Sequence, residues 1–447
     1  MQASKSIGSE SQMANPVIPS FHQTSQTDST YQDFTSRYIE DSRRAGFHVL
    51  RFILSICFFV ITGQSVQAAT HRTDMFADLH PGIHIYRYDW HEERCVLYVA
   101  EMDRSHTDLH FEVAIAKDQI LGKETVSSIA HRRSQRGDRR VLVAINGGFG
   151  VLGDMKGYGG ALENLHIQAG ELMTQPASDK EACFGVTSDG DFLIGPVEME
   201  AAVTVGTYRF PLECINQRFL DGCKSILYTP RMGDSTHTNR RRAYEITLTG
   251  FNLPITPKYE SNFIIDQFGK GGNNPIPENG AVISFRSRID KKLETQLAEG
   301  KPGKVEIGFK PAIWNRAIQA IGGRIRLVKN GRVNEILEKH HHTQKNHTPG
   351  KRQRDLALSY EPRTALGYNE QKLILIVADG RRAGYSTGLS LYRLASILIE
   401  LGVTEAINLD GGSSSTFVVD GKVVNRPSGQ SERDVLNAVL ITTDQPR

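Results

Sequence analysis

From about residue 82 the apolar positions recur mainly at every second residue, in short runs separated by glycine-containing turns. That period places alternate side chains on opposite faces of an extended strand. Residues 165–173, 184–194, 325–333 and 416–424 each read as strand, Gly turn, strand. Asn-Gly and Asp-Gly pairs there supply the positive φ that tight hairpins need. Residues 389–401 change period: Leu391, Leu394, Ala395, Leu398 and Leu401 fall on one helical face, and Gly402 follows as a C-terminal cap. The apolar runs 373–378 and 406–409 flank that helix, making a strand–helix–strand unit of the kind that joins parallel strands. Two stretches read as loose. Residues 251–304 are rich in Pro, Gly, Asn and Lys, with one short strand at 281–285. Residues 338–354 hold Lys339, His340, His341, His342, His347 and the basic run Lys351 to Arg354 without metal-ligand spacing, so they read as a solvated loop. The expected class is α+β: β-rich mixed sheets with few helices.

The one long apolar run, residues 52–62, is too short to span a bilayer comfortably as a helix. Arg43, Arg44 and Arg51 precede it and the small-x-small site Val66-Gln67-Ala68 follows, which is the layout of a cleaved export signal. The boundaries expected are residues 1–48 as a Ser/Thr/Gln-rich extension or an early start, 49–68 as the signal, and 82–445 as the functional domain. The protein is then exported, periplasmic or secreted, with no stable membrane insertion once the signal is removed. The alternative is an uncleaved anchor. Export permits disulfides, and Cys214 and Cys223 are spaced to close a short loop; free buried thiols are the other reading for Cys95, Cys183, Cys214 and Cys223. Composition adds an exclusion. With 53 Lys+Arg against 50 Asp+Glu, net +3 over 447 residues, there is no nucleic-acid footprint.

The strands before and after the helix end alike, in Asp379-Gly380 and in Asp410-Gly411-Gly412. If they run parallel, both carboxylates lie on one sheet edge, where open α/β sheets bind ligands. Carboxylate pairs of this kind serve glycoside hydrolysis. One intervening strand would double the roughly 4.8 Å spacing of neighbours. The following Gly411, Gly412, Ser413 and Ser414 would let backbone approach a ligand, and successive N–H groups can form an anion nest. The run is neither a phosphate-binding P-loop nor a Gly-x-Ser-x-Gly nucleophile elbow. A second polar strand end is Asn146-Gly147 after the apolar residues 141–145, and a third segment, Arg363-Thr364, offers a guanidinium fork that could clamp phosphate.

Taken in order, these pieces resemble the phosphodiester glycosidase family over about residues 83–443. The resemblance is carried by Asn146-Gly-Gly-Phe149, Leu227-Tyr-Thr-Pro230, Ile321-Gly-Gly323, Pro362-Arg-Thr-Ala365, Val377-Ala-Asp-Gly380, Asn408-Leu-Asp-Gly-Gly412, Asn425-Arg-Pro-Ser428, Glu432-Arg433 and Asn437-Ala438. Departures stand at Gly150, Ser413 and Arg324-Ile325, where the family pattern has Phe, Gly and Gly-Pro. The resemblance implies hydrolysis of a sugar-1-phosphodiester, with a glycan or sugar-phosphate partner and no required cofactor. A divalent cation between Asp379 and Asp410 is compatible with the pair but not demanded by it. The expected catalytic residues are Asp410 and Asp379, in an order left open, with Glu432 in reserve. Phosphate is assigned to Arg363 and the 411–415 backbone, and Asn146 orients sugar or water. Rival readings are a non-catalytic carbohydrate-binding protein of polysaccharide biosynthesis or export, and a metal-dependent phosphodiesterase that cuts P–O.

Overall fold

In the strand Lys372–Ala378 every residue from Leu373 onward is buried, and alternate residues enter different cores. Leu373, Leu375 and Val377 pack with Tyr98, Phe184, Ile145 and Phe417 on one face. Ile374, Ile376 and Ala378 pack with Leu394, Ile397 and Leu398 of the helix Leu391–Glu400 on the other. A sheet covered on both faces removes the polar alternation and leaves a continuous apolar run. Each such fully buried aliphatic side chain contributes roughly 1.5–3 kcal/mol. The helix starts where Ser390 accepts the Arg393 N–H at 3.2 Å and stops at Gly402, whose φ is 83°. A Ser cap of this kind is worth about 1 kcal/mol.

The computed structural model describes residues 71–344 and 358–445, apart from 92, 152, 154–157, 179, 219–221, 240 and 287–288. The expected extension, export signal and basic run at 351–354 with His347 lie outside the described residues. The described part is β-rich with few helices, as the class predicted. Two sheets have eight strands and two have five. Neighbouring strands pair antiparallel, except Cys214–Ile215 with Ser225–Tyr228, which pair parallel. The sheet that carries the two Asp-Gly ends runs through Cys95–Asp103, Lys372–Ala378, Arg363–Tyr368 and Glu405–Asn408. A five-stranded sheet containing Arg139–Asn146 and Asn437–Asp444 packs against it through the shared core.

All four hairpins form, with Asn330-Gly331 and Asp420-Gly421 at positive φ as the turns require. The disulfide Cys214–Cys223 closes the short loop, while Cys95 and Cys183 are free and buried. Two expectations are corrected. Residues 251–304 are not loose: they hold the twelve-residue strand Tyr259–Lys270, the strand Ala281–Phe285, the short helix Lys291–Glu294 and the start of Pro302–Lys310. Tyr259, Ser261, Phe263 and Ile265 are buried and alternate with exposed Glu260, Asn262 and Ile264, a period-two pattern diluted by polar residues. Residues 338–344 are not a loop but part of the helix Glu335–Gln344, where the His341 ring stacks 3.8 Å from that of Tyr392.

Candidate active site

The strand Arg363–Tyr368 lies between the two Asp-ended strands and is antiparallel to both. Those two are therefore parallel to each other, and their carboxyl ends share one rim. One strand intervenes, so the strand ends stand roughly 9–10 Å apart, twice the neighbour spacing. Arg363 faces Ala378 in the register, and Ala365 faces Asn408. Pro362 thus sits between the Asp-Gly pairs. A Cβ on Gly380 would come within 2.7 Å of Pro362 N, and one on Gly411 within 2.7 Å of Pro362 O. Both glycines are required by this close approach. Gly412 adds a left-handed φ of 62°.

Asp410 is partly exposed on the rim. It borders a small cavity of about 10 Å³ with Asn146, Gly147, Gly148 and Gly150, at the threshold for a single water. Burial pushes its carboxyl above the usual carboxylate range. Ser414, the Gly411 N–H at 3.0 Å, Arg433 and Arg324 oppose that shift. Buried Ser414 Oγ has no partner in hydrogen-bonding geometry but lies beside this carboxylate and favours its ionised form.

Asp379 differs. It is 1% exposed, and its oxygens accept from Asn425 Nδ2 (2.8 Å), Arg426 N–H (2.9 Å) and the Tyr385 hydroxyl (3.0 Å). Burial raises this carboxyl too, against the pull of those three donors and of Arg382. A carboxylate ringed by donors is a joint, here between the Asp379 strand end and the 425–426 segment. The grouping of His80, His106 and Asp108 lies at the opposite end of this sheet. His80 Nδ1 accepts the Gly82 N–H at 3.0 Å, which leaves its Nε2 to donate to Asp108 at 2.8 Å.

Other expected residues are redistributed. Asn146 is fully buried: its Oδ1 accepts from Thr364 Oγ1 (2.8 Å) and Thr416 N–H (3.2 Å), and its Nδ2 donates to the Asp410 carbonyl (2.6 Å). It locks Asp410 in place and borders the cavity beside it. Gly147 accepts the Asp410 N–H, and a Cβ there would strike Asn437 Oδ1 at 2.3 Å. Thr364 faces this joint, which strand alternation turns into a statement about its neighbour. Arg363 points to the other face, where its guanidinium donates to the carbonyls of Leu389 (2.9 Å) and Ser359 (2.7 Å). Burial lowers Arg363 to about 10. The phosphate clamp expected of it is therefore replaced by a structural one.

Four of the five N–H groups of the expected anion nest at 411–415 are taken. The Gly411, Gly412, Ser414 and Ser415 N–H groups are taken by Asp410 Oδ1 and by the carbonyls of Pro362, Gly411 and Gly412 respectively. Glu432 is engaged by the Ser127 N–H (2.8 Å) and hydroxyl (2.6 Å) at the start of the helix Val126–Ser134, not by the rim carboxylates. The residues that surround the 411–414 loop instead are arginines. Arg433 Nη1 donates to Ser413 Oγ at 2.6 Å, with no carboxylate partner among the described residues. Arg381, at a left-handed φ of 59°, holds its guanidinium against Gly412 and pairs with Glu361. Position after Asp379-Gly380 was the available signal for Arg381.

Residues 259–442 match the family model described as phosphodiester glycosidase. The chain is 42% identical over 67 residues to the human N-acetylglucosamine-1-phosphodiester alpha-N-acetylglucosaminidase, 15% of this chain and 13% of that protein. It is 30% identical over 115 residues to the bovine one, 26% of this chain and 21% of that protein. The matched part is thus well under a quarter of each relative. A hypothetical protein from Synechocystis shares the fold, with a TM-score of 0.65 and 19% identity, covering 84% of this chain and 64% of that one.

Proposed function

We propose, from the match of residues 259–442 to the phosphodiester glycosidase family model, that this protein is an exported hydrolase that breaks the anomeric C–O bond of a sugar-1-phosphodiester. The observation that carries the reading is the rim itself: Asp410 partly exposed among otherwise sealed polar groups, beside Arg433 and Arg381. Phosphate leaves readily, so charge stabilisation does more than acid catalysis here. Ionised Asp410 faces the anomeric carbon and stabilises the positive charge that develops as the bond to phosphate lengthens. Arg433, and Arg381 beside it, take up the charge of the departing phosphate. Gly411 and Gly412 let the substrate approach the backbone. The Cys214–Cys223 bond supports an oxidising, extracytoplasmic compartment, and a cell-surface or exported polysaccharide supplies a fitting glycan. No helix among the described residues is long and apolar enough to cross a membrane.

The test is hydrolysis of a sugar-1-phosphodiester by purified protein in ¹⁸O water. Turnover with label on the sugar, lost in Asp410→Asn, is expected. Label on phosphate would identify a P–O-cutting phosphodiesterase, and glycan binding without turnover would identify a carbohydrate-binding protein.

A further inference from the structure

Another cation acts on Asp410 from an element outside the Asp-Gly strands. The strand Ala317–Gly322 runs into the rim so closely that a Cβ on Gly148 would lie 2.5 Å from the Gly322 carbonyl oxygen. A Cβ on Gly323 would lie 2.5 Å from the Asn408 carbonyl oxygen. This segment therefore abuts both the turn and the strand that hold Asp410, and the next residue is Arg324. Its guanidinium lies over the Phe149 ring, 4.2 Å from the centroid, and Nη2 donates to Glu163 Oε2 at 3.1 Å. Glu163 Oε1 in turn accepts from Arg218 at 3.3 Å, on the loop closed by Cys214–Cys223. Stacking plus a carboxylate anchor gives the long Arg side chain one seat, where an unanchored surface arginine would sample many rotamers. Position 324 is also where the chain departs from the glycine of the related pattern.

We infer that Arg324 is a positioning residue of the reaction: seated on Phe149 by Glu163 at the edge of the rim, it acts with Arg433 to hold the Asp410 carboxylate in place for the substrate. This rests on the proposed reaction. The groups facing Asp410 are Arg433, Arg324, Ser414 and the Gly411 N–H. Arg381 beside Gly412 is paired with Glu361. Behind Arg324 stand Glu163, Arg218 and Glu181, the last held by Asn164 Nδ2 at 2.9 Å. The two acids moderate the Arg324 field without cancelling it, since Arg324 still acts on Asp410 in the ionised direction.

The test is the pH profile of kcat/KM on a sugar-1-phosphodiester for the wild type, Arg324→Gln and Arg324→Lys. Loss of the cation raises the Asp410 titration, so the acid limb of Arg324→Gln moves to higher pH. About a threefold loss is expected on the acid limb and almost none well above it, a modest effect suited to a half-exposed cation. Arg324→Lys restores the limb, and high salt shrinks the difference. A superimposable acid limb in Arg324→Gln, or a limb displaced equally in Arg324→Lys, overturns the inference. ¹³C titration of the Asp410 carboxyl, assigned with Asp410→Asn, reads the same shift without turnover. If the wild type hydrolyses no sugar phosphodiester, the reaction class fails, while this titration still decides the role of Arg324.

Discussion

Asp379 and Asp410 end two parallel strands of one sheet, each is followed by a glycine pressed against Pro362, and each carries a carboxyl raised by burial. Their surroundings differ in what holds the charge. Around Asp379 three donors close both oxygens, and the group is sealed at 1% exposure. Around Asp410 the side-chain charges are at least partly exposed arginines, and Asn146 holds its backbone rather than its carboxylate. A buried carboxylate held by three donors stabilises a fold, and one whose backbone is fixed but which borders a cavity is poised for chemistry. The same dipeptide has become a joint in one place and a working group in the other.

The sharpest break between the two is activity. Asp410→Asn is expected to lower kcat/KM on a sugar-1-phosphodiester by about 10³-fold or more with the fold intact, the scale of losing a principal charge-stabilising group. A protein that stays fully active would end the distinction. Stability should divide them the other way. Asp379→Ala strands buried donors of Asn425, Arg426 and Tyr385, so urea unfolding should show a loss of about 3 kcal/mol. Asp410→Ala should lose well under half of that. Equal losses would mean that both are joints.

The arginines repeat the contrast one shell out. Arg433→Gln should reduce kcat/KM by about 10²-fold, as removing a single charge-stabilising donor does. Arg363→Gln should leave turnover within a few-fold while lowering the unfolding free energy by about 2 kcal/mol, because the Leu389 and Ser359 carbonyls lose their donor. The reverse pattern in steady-state kinetics would return phosphate binding to Arg363.

The smallest effect concerns pH. Asp410 titrates higher in the folded chain than its unfolded value, so between those two values the folded state binds the extra proton. Its contribution therefore becomes less favourable as pH rises through that window, and the cost of the ionised form is fully present above the folded pKa. Asp410→Asn removes that cost. The variant should melt slightly above wild type at neutral pH, with the gain fading toward pH 4. A gain that persists below pH 4 would show that the charge is not its source.

Much of this was legible beforehand. The Asn-Gly and Asp-Gly hairpins, the helix ending at Gly402, the disulfide loop and the common edge of the two Asp ends follow from local periodicity and turn chemistry. The strand Tyr259–Lys270 was not, because polar residues at Glu260, Asn262 and Asp266 and the Pro/Gly-rich flanks obscure its alternation. The helix Glu335–Gln344 was hidden by adjacent histidines, which read as loop in the absence of a packing partner such as Tyr392. Arg433 and Arg381 were visible as residues but not as neighbours of one loop.

By itself the amino-acid sequence determined the strands, their turns and the identity of the two Asp-Gly ends, since each depends on side-chain period and φ preferences within a few residues. Only the tertiary structure decided that Arg363–Tyr368 intervenes between those ends, that Arg363 faces Leu389 and Ser359 while Thr364 faces Asn146, and that Asp379 is sealed while Asp410 is not. Those outcomes depend on which distant segments supply donors: Asn425 and Arg426 to one carboxylate, Asn146 to the backbone of the other. A chain read locally shows which residues can ionise. The packing of remote strands decides which of them meets water and substrate, because burial and the number of donors set the cost of exposing that charge.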